Sequence, residues 1–287
     1  MEKILQWSIA SQSGDKEAME KIGQPDPELL SQLFGAGGPD EPTLMKQSIA
    51  VVENPEATLE AKETALDNFE MLVENLDNAN NIENLKLWPS IIALLSNSEP
   101  SLSVLAASIV GVATQNNPDS QKAFLEKEDG LATLIKLIND ESTQKELLLK
   151  SFFALSCFVR NYADATGQFA ELGGWEALHL SSSQADHKLL LRKLSLISAL
   201  LSTGLDDTKL EHFKKISFVD NLISTFETEN VACIDKSLNI ITQLHSLKYS
   251  FSDEEISRLA NQLDRIDHLK DRLTEDDFHI AKQVAST

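Results

Sequence analysis

Apolar residues recur along this chain at helical spacing. Between Lys62 and Leu76 the apolar positions Leu66, Phe69, Val73 and Leu76 fall three, four and three apart, with Glu63, Asp67, Glu70 and Glu74 between them. That spacing sets one apolar stripe on an acidic helix. It returns at Leu131, Leu134, Ile135 and Ile138, and again at Ile256, Leu259, Leu263 and Ile266. Sustained alternation, the mark of a half-buried strand, is hard to find, so the fold class is all-α.

The stripes also repeat. Leu147-Leu148-Leu149-Lys150-Ser151 is echoed 42 residues later by Leu189-Leu190-Leu191-Arg192-Lys193, and Asn75, Asn116 and Asn161 recur 41 and 45 residues apart. Between the long helices come Asp129-Gly130-Leu131 and Gly173-Gly174-Trp175, where glycine would supply a left-handed turn. A period near 42, with one long helix and shorter ones between, is the mark of an armadillo or HEAT solenoid, whose units bury their apolar faces only by stacking. Residues 46–287 are therefore expected to form one armadillo-like repeat domain of about four repeats plus capping helices. Its long helices should lie near 62–76, 103–116, 146–161, 188–202 and 234–247. Ser252-Asp253-Glu254-Glu255 reads as a capping box opening the C-terminal cap.

The first 45 residues lack the repeat. Leu5, Trp7 and Ile9 suit a short amphipathic helix, and Pro27 can start a second. From Gly35 to Pro42 three glycines and two prolines fall in eight residues, which predicts a joint. Residues 1–45 are thus expected to be a flexible arm and linker. Trp7, with little around it to build a core, suits contact with another molecule or a fold back onto the body.

Charge narrows the partners. The 287 residues include 45 Asp or Glu and 25 Lys or Arg, a net charge of −20, and the first 100 hold 18 of the acids and only 6 of the bases. A nucleic-acid partner would need a basic surplus, so none is expected. No apolar run approaches the length that spans a bilayer, and a membrane partner is not expected either. Cys157 and Cys233, far apart, suit reduced thiols in a cytoplasmic protein.

Candidate chemistry is sparse. Gly35-Ala36-Gly37-Gly38 fails the spacing of both phosphate-binding loops and dinucleotide fingerprints. The six histidines are never three or four apart, so no helix offers two to a metal. Carboxylates such as Asp67, Glu70 and Glu74 fall on polar helix faces. No catalytic residue, metal site or cofactor is assigned, and the function is expected to lie in a surface.

In a solenoid that surface is the groove lined by the long helices. Two features stand out there. Asn75-Leu76-Asp77-Asn78-Ala79-Asn80-Asn81 reads either as an Asn-rich helix end and turn or as a contact in which Asn75, Asn78 and the small Ala79 let a partner approach. Arg192-Lys193 reads either as a solvated helix start or as a basic anchor in an acidic protein.

The runs Leu5-Gln6-Trp7-Ser8-Ile9-Ala10, Gly23 to Pro27, Gly38 to Lys46 and above all Asp67 to Asn81 resemble the fungal members of the armadillo nucleotide exchange factors. These serve the cytosolic seventy-kilodalton heat-shock chaperone. Gln115-Asn116-Asn117-Pro118 and Leu269 to Leu273 extend the resemblance over essentially the whole chain. It implies a monomeric, cytoplasmic co-chaperone, with a nuclear pool left open, that grips lobe II of the chaperone's nucleotide-binding domain and accelerates ADP release. The contacts it carries over fall on Ala79 and Arg192. It also implies that the arm around Leu5, Trp7 and Ile9 is a release segment for the chaperone's substrate-binding part.

The rival from another class is a nuclear-import-like armadillo adaptor reading peptides in its groove. That class needs Trp and Asn four apart on the groove helices, whereas the matching places in the third unit are Phe153 and Cys157.

Overall fold

A computed structural model describes residues 39–180 and 186–286. Among them 15 α-helices and three short 3₁₀ segments occur, and no strand. Two helices lead, α1 (Glu41–Glu53) and α2 (Leu59–Val73). Four repeats follow. The first is α3 (Leu76–Asn84), α4 (Trp88–Leu94) and α5 (Pro100–Thr114), and the second is α6 (Pro118–Leu125), α7 (Gly130–Asn139) and α8 (Lys145–Phe158). The third is α9 (Ala163–Glu171), the 3₁₀ segment Gly174–Leu178 and α10 (His187–Leu201). The fourth is α11 (Asp207–Lys215), α12 (Phe218–Ser224) and α13 (Val231–Ser246), and α14 (Asp253–Ile266) and α15 (Glu275–Val284) close the stack.

The long helices α2, α5, α8, α10 and α13 begin 41, 45, 42 and 44 residues apart and pack each against the next. From Met45 onward the described residues form one unit with a single hydrophobic core running from Met45 to Val284. Aromatic rings cross from repeat to repeat. Trp88 of the first meets Phe124 of the second at 5.2 Å, and Phe124 meets Phe158 at 5.0 Å, both edge-on, the arrangement the ring quadrupoles favour. Trp175 of the third meets Phe213 of the fourth at 5.9 Å. The capping box at Ser252 and Glu255 is present in both directions.

Three expectations are corrected. The joint ends earlier than its proline content suggested: Glu41 and Pro42 already belong to α1, because a missing N–H costs nothing in a first helical turn. Residues 1–38, with Leu5, Trp7, Ile9 and the glycine cluster, lie outside the described residues. Asn116 and Asn161 stop their helices in the left-handed region, at φ +52° and +57°, but Asn75 is extended and caps the start of α3. Its counterpart is Asn117, which caps α6. Of the glycines, Gly173 makes the expected left-handed turn at φ +75°, whereas Gly130 and Gly174 are there for space. A Cβ on Gly130 would stand 2.8 Å from the Phe124 ring, and one on Gly174 2.4 Å from that of Phe169.

Both cysteines are buried, and burial pushes each thiol up to about 11. Because the thiolate is the nucleophile, native protein at pH 8 should react slowly with a disulfide reagent and both thiols should react once it is unfolded. Rapid labelling of the native protein would contradict this packing.

Candidate functional site

The long helices share a position. Ser108 of α5, Lys150 of α8, Arg192 of α10 and Lys236 of α13 are 42, 42 and 44 residues apart, one repeat each, so stacking carries them onto one face. Their contacts run along it. Ser108 Oγ donates to Glu70 Oε1 of α2 at 2.7 Å and accepts from Lys150 Nζ at 2.8 Å. Lys150 Nζ stands 5.8 Å, and Arg192 Cζ 5.3 Å, from the ring centre of Phe153, within the range of cation–π attraction. Farther along, Lys236 Nζ and Gln243 Nε2 both donate to Ser198 Oγ at 2.9 Å. Asn239, which accepts from Lys236 at 3.2 Å, donates to Asp277 of α15 at 3.2 Å.

The electrostatics follow this geometry. Desolvation holds the Lys236 ammonium below the usual lysine range, the Arg160 charge adds to that, and Asp277 and Asp235 oppose it. Desolvation raises the buried Cys157 thiol, and the positive charges of Arg160 and Arg192 oppose that shift. Four cations, Lys150, Arg160, Arg192 and Lys236, thus gather on adjacent repeats of a protein whose net charge is −20.

Arg192 is the member with the most to offer. It is half-buried at its stem, and among the described residues no hydrogen bond or ion pair engages its guanidinium. Its planar fork can take a carboxylate or carbonyl from outside. Lys193 differs. Its ammonium donates to the His179 carbonyl at 3.0 Å, and desolvation lowers its pKa, so it is tied to the segment after Leu178 rather than joining the row. The basic pair of the sequence is one groove cation and one structural one.

The asparagine run is likewise resolved into parts. It is no helix end: α2 stops at Val73, and Leu76 opens α3. Asn75 accepts from Asp77 N at 2.9 Å and stays exposed. Asn78 is 2% exposed and donates to the Leu72 carbonyl at 2.9 Å, tying α3 to the end of α2. Ala79, also 2% exposed, belongs to the core of the chain on its own. What shows here is Leu76 at 57% and Met71 at 70% exposure. Arg192 and the run sit two repeats apart, without contact, and a partner touching both must span the helices between.

Sequence reasoning passed over Lys150, Arg160 and Lys236 and used Phe153 only to dismiss an adaptor. The signal for two of them was available: the same 42-residue echo that marked Arg192 pairs it with Lys150, and one further repeat reaches Lys236. Among the described residues no group of three or more metal-ligating side chains occurs. The arrangement offers cations and a π face to a partner.

Similarity to known proteins fits a binding role. Residues 1–82 match the family described as nucleotide exchange factor Fes1, and residues 78–223 match the SIL1/FES1/HPBP1 C-terminal domain. The Hsp70 nucleotide exchange factor FES1 of Scheffersomyces stipitis is 55% identical over the whole of both chains. The protein of that description from Saccharomyces cerevisiae is 45% identical over 99% of this chain and all of its own. Among solved structures, a designed armadillo repeat protein superposes with a TM-score of 0.67 over 84% of this chain and 98% of its own, at 13% identity. Another, in complex with the peptide (KR)4, has a TM-score of 0.66 over 84% and 97% at 13% identity. These two speak for the armadillo fold alone.

Proposed function

The chain belongs to the Fes1 nucleotide exchange factor family, and on that premise we propose that it is a co-chaperone that speeds ADP release from a cytosolic Hsp70. Its long-helix face grips lobe II of the chaperone's nucleotide-binding domain as a monomer and leaves no room for lobe I in its closed place. Such a partner binds the open cleft better than the closed one, and the open fraction rises by the ratio of the two affinities. ADP leaves from the open form, ATP follows, and substrate is let go.

The observation that carries this reading is the cation row on the long-helix face, with Arg192 left free to engage a carboxylate or carbonyl of the partner. The test is release of a fluorescent ADP from purified cytosolic Hsp70. Added protein should accelerate it until the effect saturates, and added salt should weaken the effect because the row meets its partner through charge. No acceleration at micromolar concentration would end the proposal. The row also speaks against the adaptor reading, since Lys150, Arg192 and Lys236 would repel a basic peptide.

The arm has its own part in the proposal: Leu5, Trp7 and Ile9 occupy the chaperone's substrate-binding domain and keep released substrate from rebinding. Deleting residues 1–38 should then leave ADP release unchanged while slowing the departure of a bound unfolded protein. An equal loss of both activities would make the arm part of the exchange machinery instead.

A further inference from the structure

Phe153 holds a place in the row that its neighbours do not fill. The repeat-equivalent residue is Gly111 in the preceding repeat and Ser195 in the next, 42 residues away on either side, so the one ring has a small residue on both flanks. The fit against Gly111 is close. A Cβ added there would come within 2.4 Å of Phe153 Cε1, 2.7 Å of its Cδ1 and 3.2 Å of the Ala154 Cα, so glycine alone lets the ring lie against α5. Over that seated ring stands the Arg192 guanidinium, its Cζ 5.3 Å from the ring centre, with the Lys150 ammonium at 5.8 Å.

We infer that Phe153, seated on Gly111, is a positioning residue that fixes the Arg192 guanidinium in the orientation in which it meets the chaperone. An arginine held only by water loses rotamer freedom when a partner captures it, and that loss is subtracted from affinity. A π face beneath the guanidinium removes much of this cost beforehand, while the ring quadrupole leaves the N–H groups at the edge of the plane available to an acceptor. No hydrogen bond to a described residue does this work for Arg192, which distinguishes it from Lys150 and Lys236, each held by a serine. The inference rests on the exchange reading above for its partner, but not for its geometry.

The test is Phe153→Leu, which keeps apolar bulk and removes the π face, with Phe153→Tyr as the conservative variant, each in the wild-type and Arg192→Ala backgrounds. Binding to the nucleotide-binding domain of cytosolic Hsp70 is measured, together with the proton chemical shifts of the Arg192 side chain. Phe153→Leu should weaken binding by about fivefold in the wild type and not at all in Arg192→Ala, and Phe153→Tyr should restore it. The Arg192 side-chain protons should be displaced upfield by the ring and return to ordinary positions in Phe153→Leu. Gly111→Ala, which pushes the ring from its seat, should reproduce both effects. Unchanged affinity in Phe153→Leu, an equal loss in both backgrounds, or the lack of any ring-current shift would each overturn the inference. Failure of the exchange reading looks different: wild-type protein would not bind Hsp70 at all, while the chemical shifts would still decide whether Arg192 sits on the ring.

Discussion

Arg192→Ala should weaken binding to Hsp70 by tenfold or more, about 1.5–3 kcal/mol, and slow stimulated ADP release in proportion, with helicity unchanged. The size follows from its place. The guanidinium has no hydrogen-bond partner among the described residues, so its five donors are available to the chaperone, and hydrogen bonds to a charged group contribute more than neutral ones. Removing it also leaves whatever acceptor it met unpaired in the complex. Stability should change little, because what the fold loses is one cation–π contact of about 0.5–1 kcal/mol and part of a half-exposed stem. Arg192→Lys should fall between the two, since an ammonium keeps the charge but not the planar fork. The neighbour is the control. Lys193→Ala should leave affinity nearly intact, because that ammonium is bound to the His179 carbonyl. A loss at Lys193 equal to that at Arg192 would mean the row has been drawn on the wrong residues.

How much of this was legible in the sequence depended on how the information was encoded. The long helices were readable because apolar spacing survives any change of detail, and their starts fell within a few residues of the expected ones. The repeat echo that marked Arg192 was readable for the same reason. What misled was residue type taken without its helix. Asparagine is favoured at helix starts and tolerated in left-handed helix ends alike, so Asn75 could be aligned with Asn116 although it does the work of Asn117. The run after it hid a helix: Leu76, Ala79 and Ile82 fall three apart, but the asparagines between them suggest a turn until Asn78 is seen bonded inside the fold to the Leu72 carbonyl. Glycine misled similarly, since Gly130 and Gly174 answer to a phenylalanine ring rather than to a backbone angle. The direction of a long side chain was not encoded at this level at all. Arg192 and Lys193 are adjacent in sequence, yet successive helical positions point about 100° apart, and only packing decides which one faces the row.

Ala79→Arg should abolish tight Hsp70 binding, and it should do so by damaging the fold. The Ala79 methyl is 2% exposed on α3, a helix that packs on α2, α5 and α6. An arginine placed there must either overfill that space, at about 1–3 kcal/mol, or drag its charge to water past helices that have no gap for it. At about 2–4 °C of melting temperature per kcal/mol for a domain of this size, the variant should melt roughly 2–12 °C below wild type. Ala79→Ser should keep most of both properties, because its small hydroxyl can bond back to the Asn75 carbonyl one turn earlier. Binding loss then follows from a displaced α3, whose N-terminal turn carries the exposed Asn75 and Leu76 next to Met71 at the end of α2. Differential scanning calorimetry beside the binding assay separates the two routes. If Ala79→Arg loses the chaperone yet melts as wild type does, the methyl must face the partner, and the packing of α3 in the complex must differ from the packing described above.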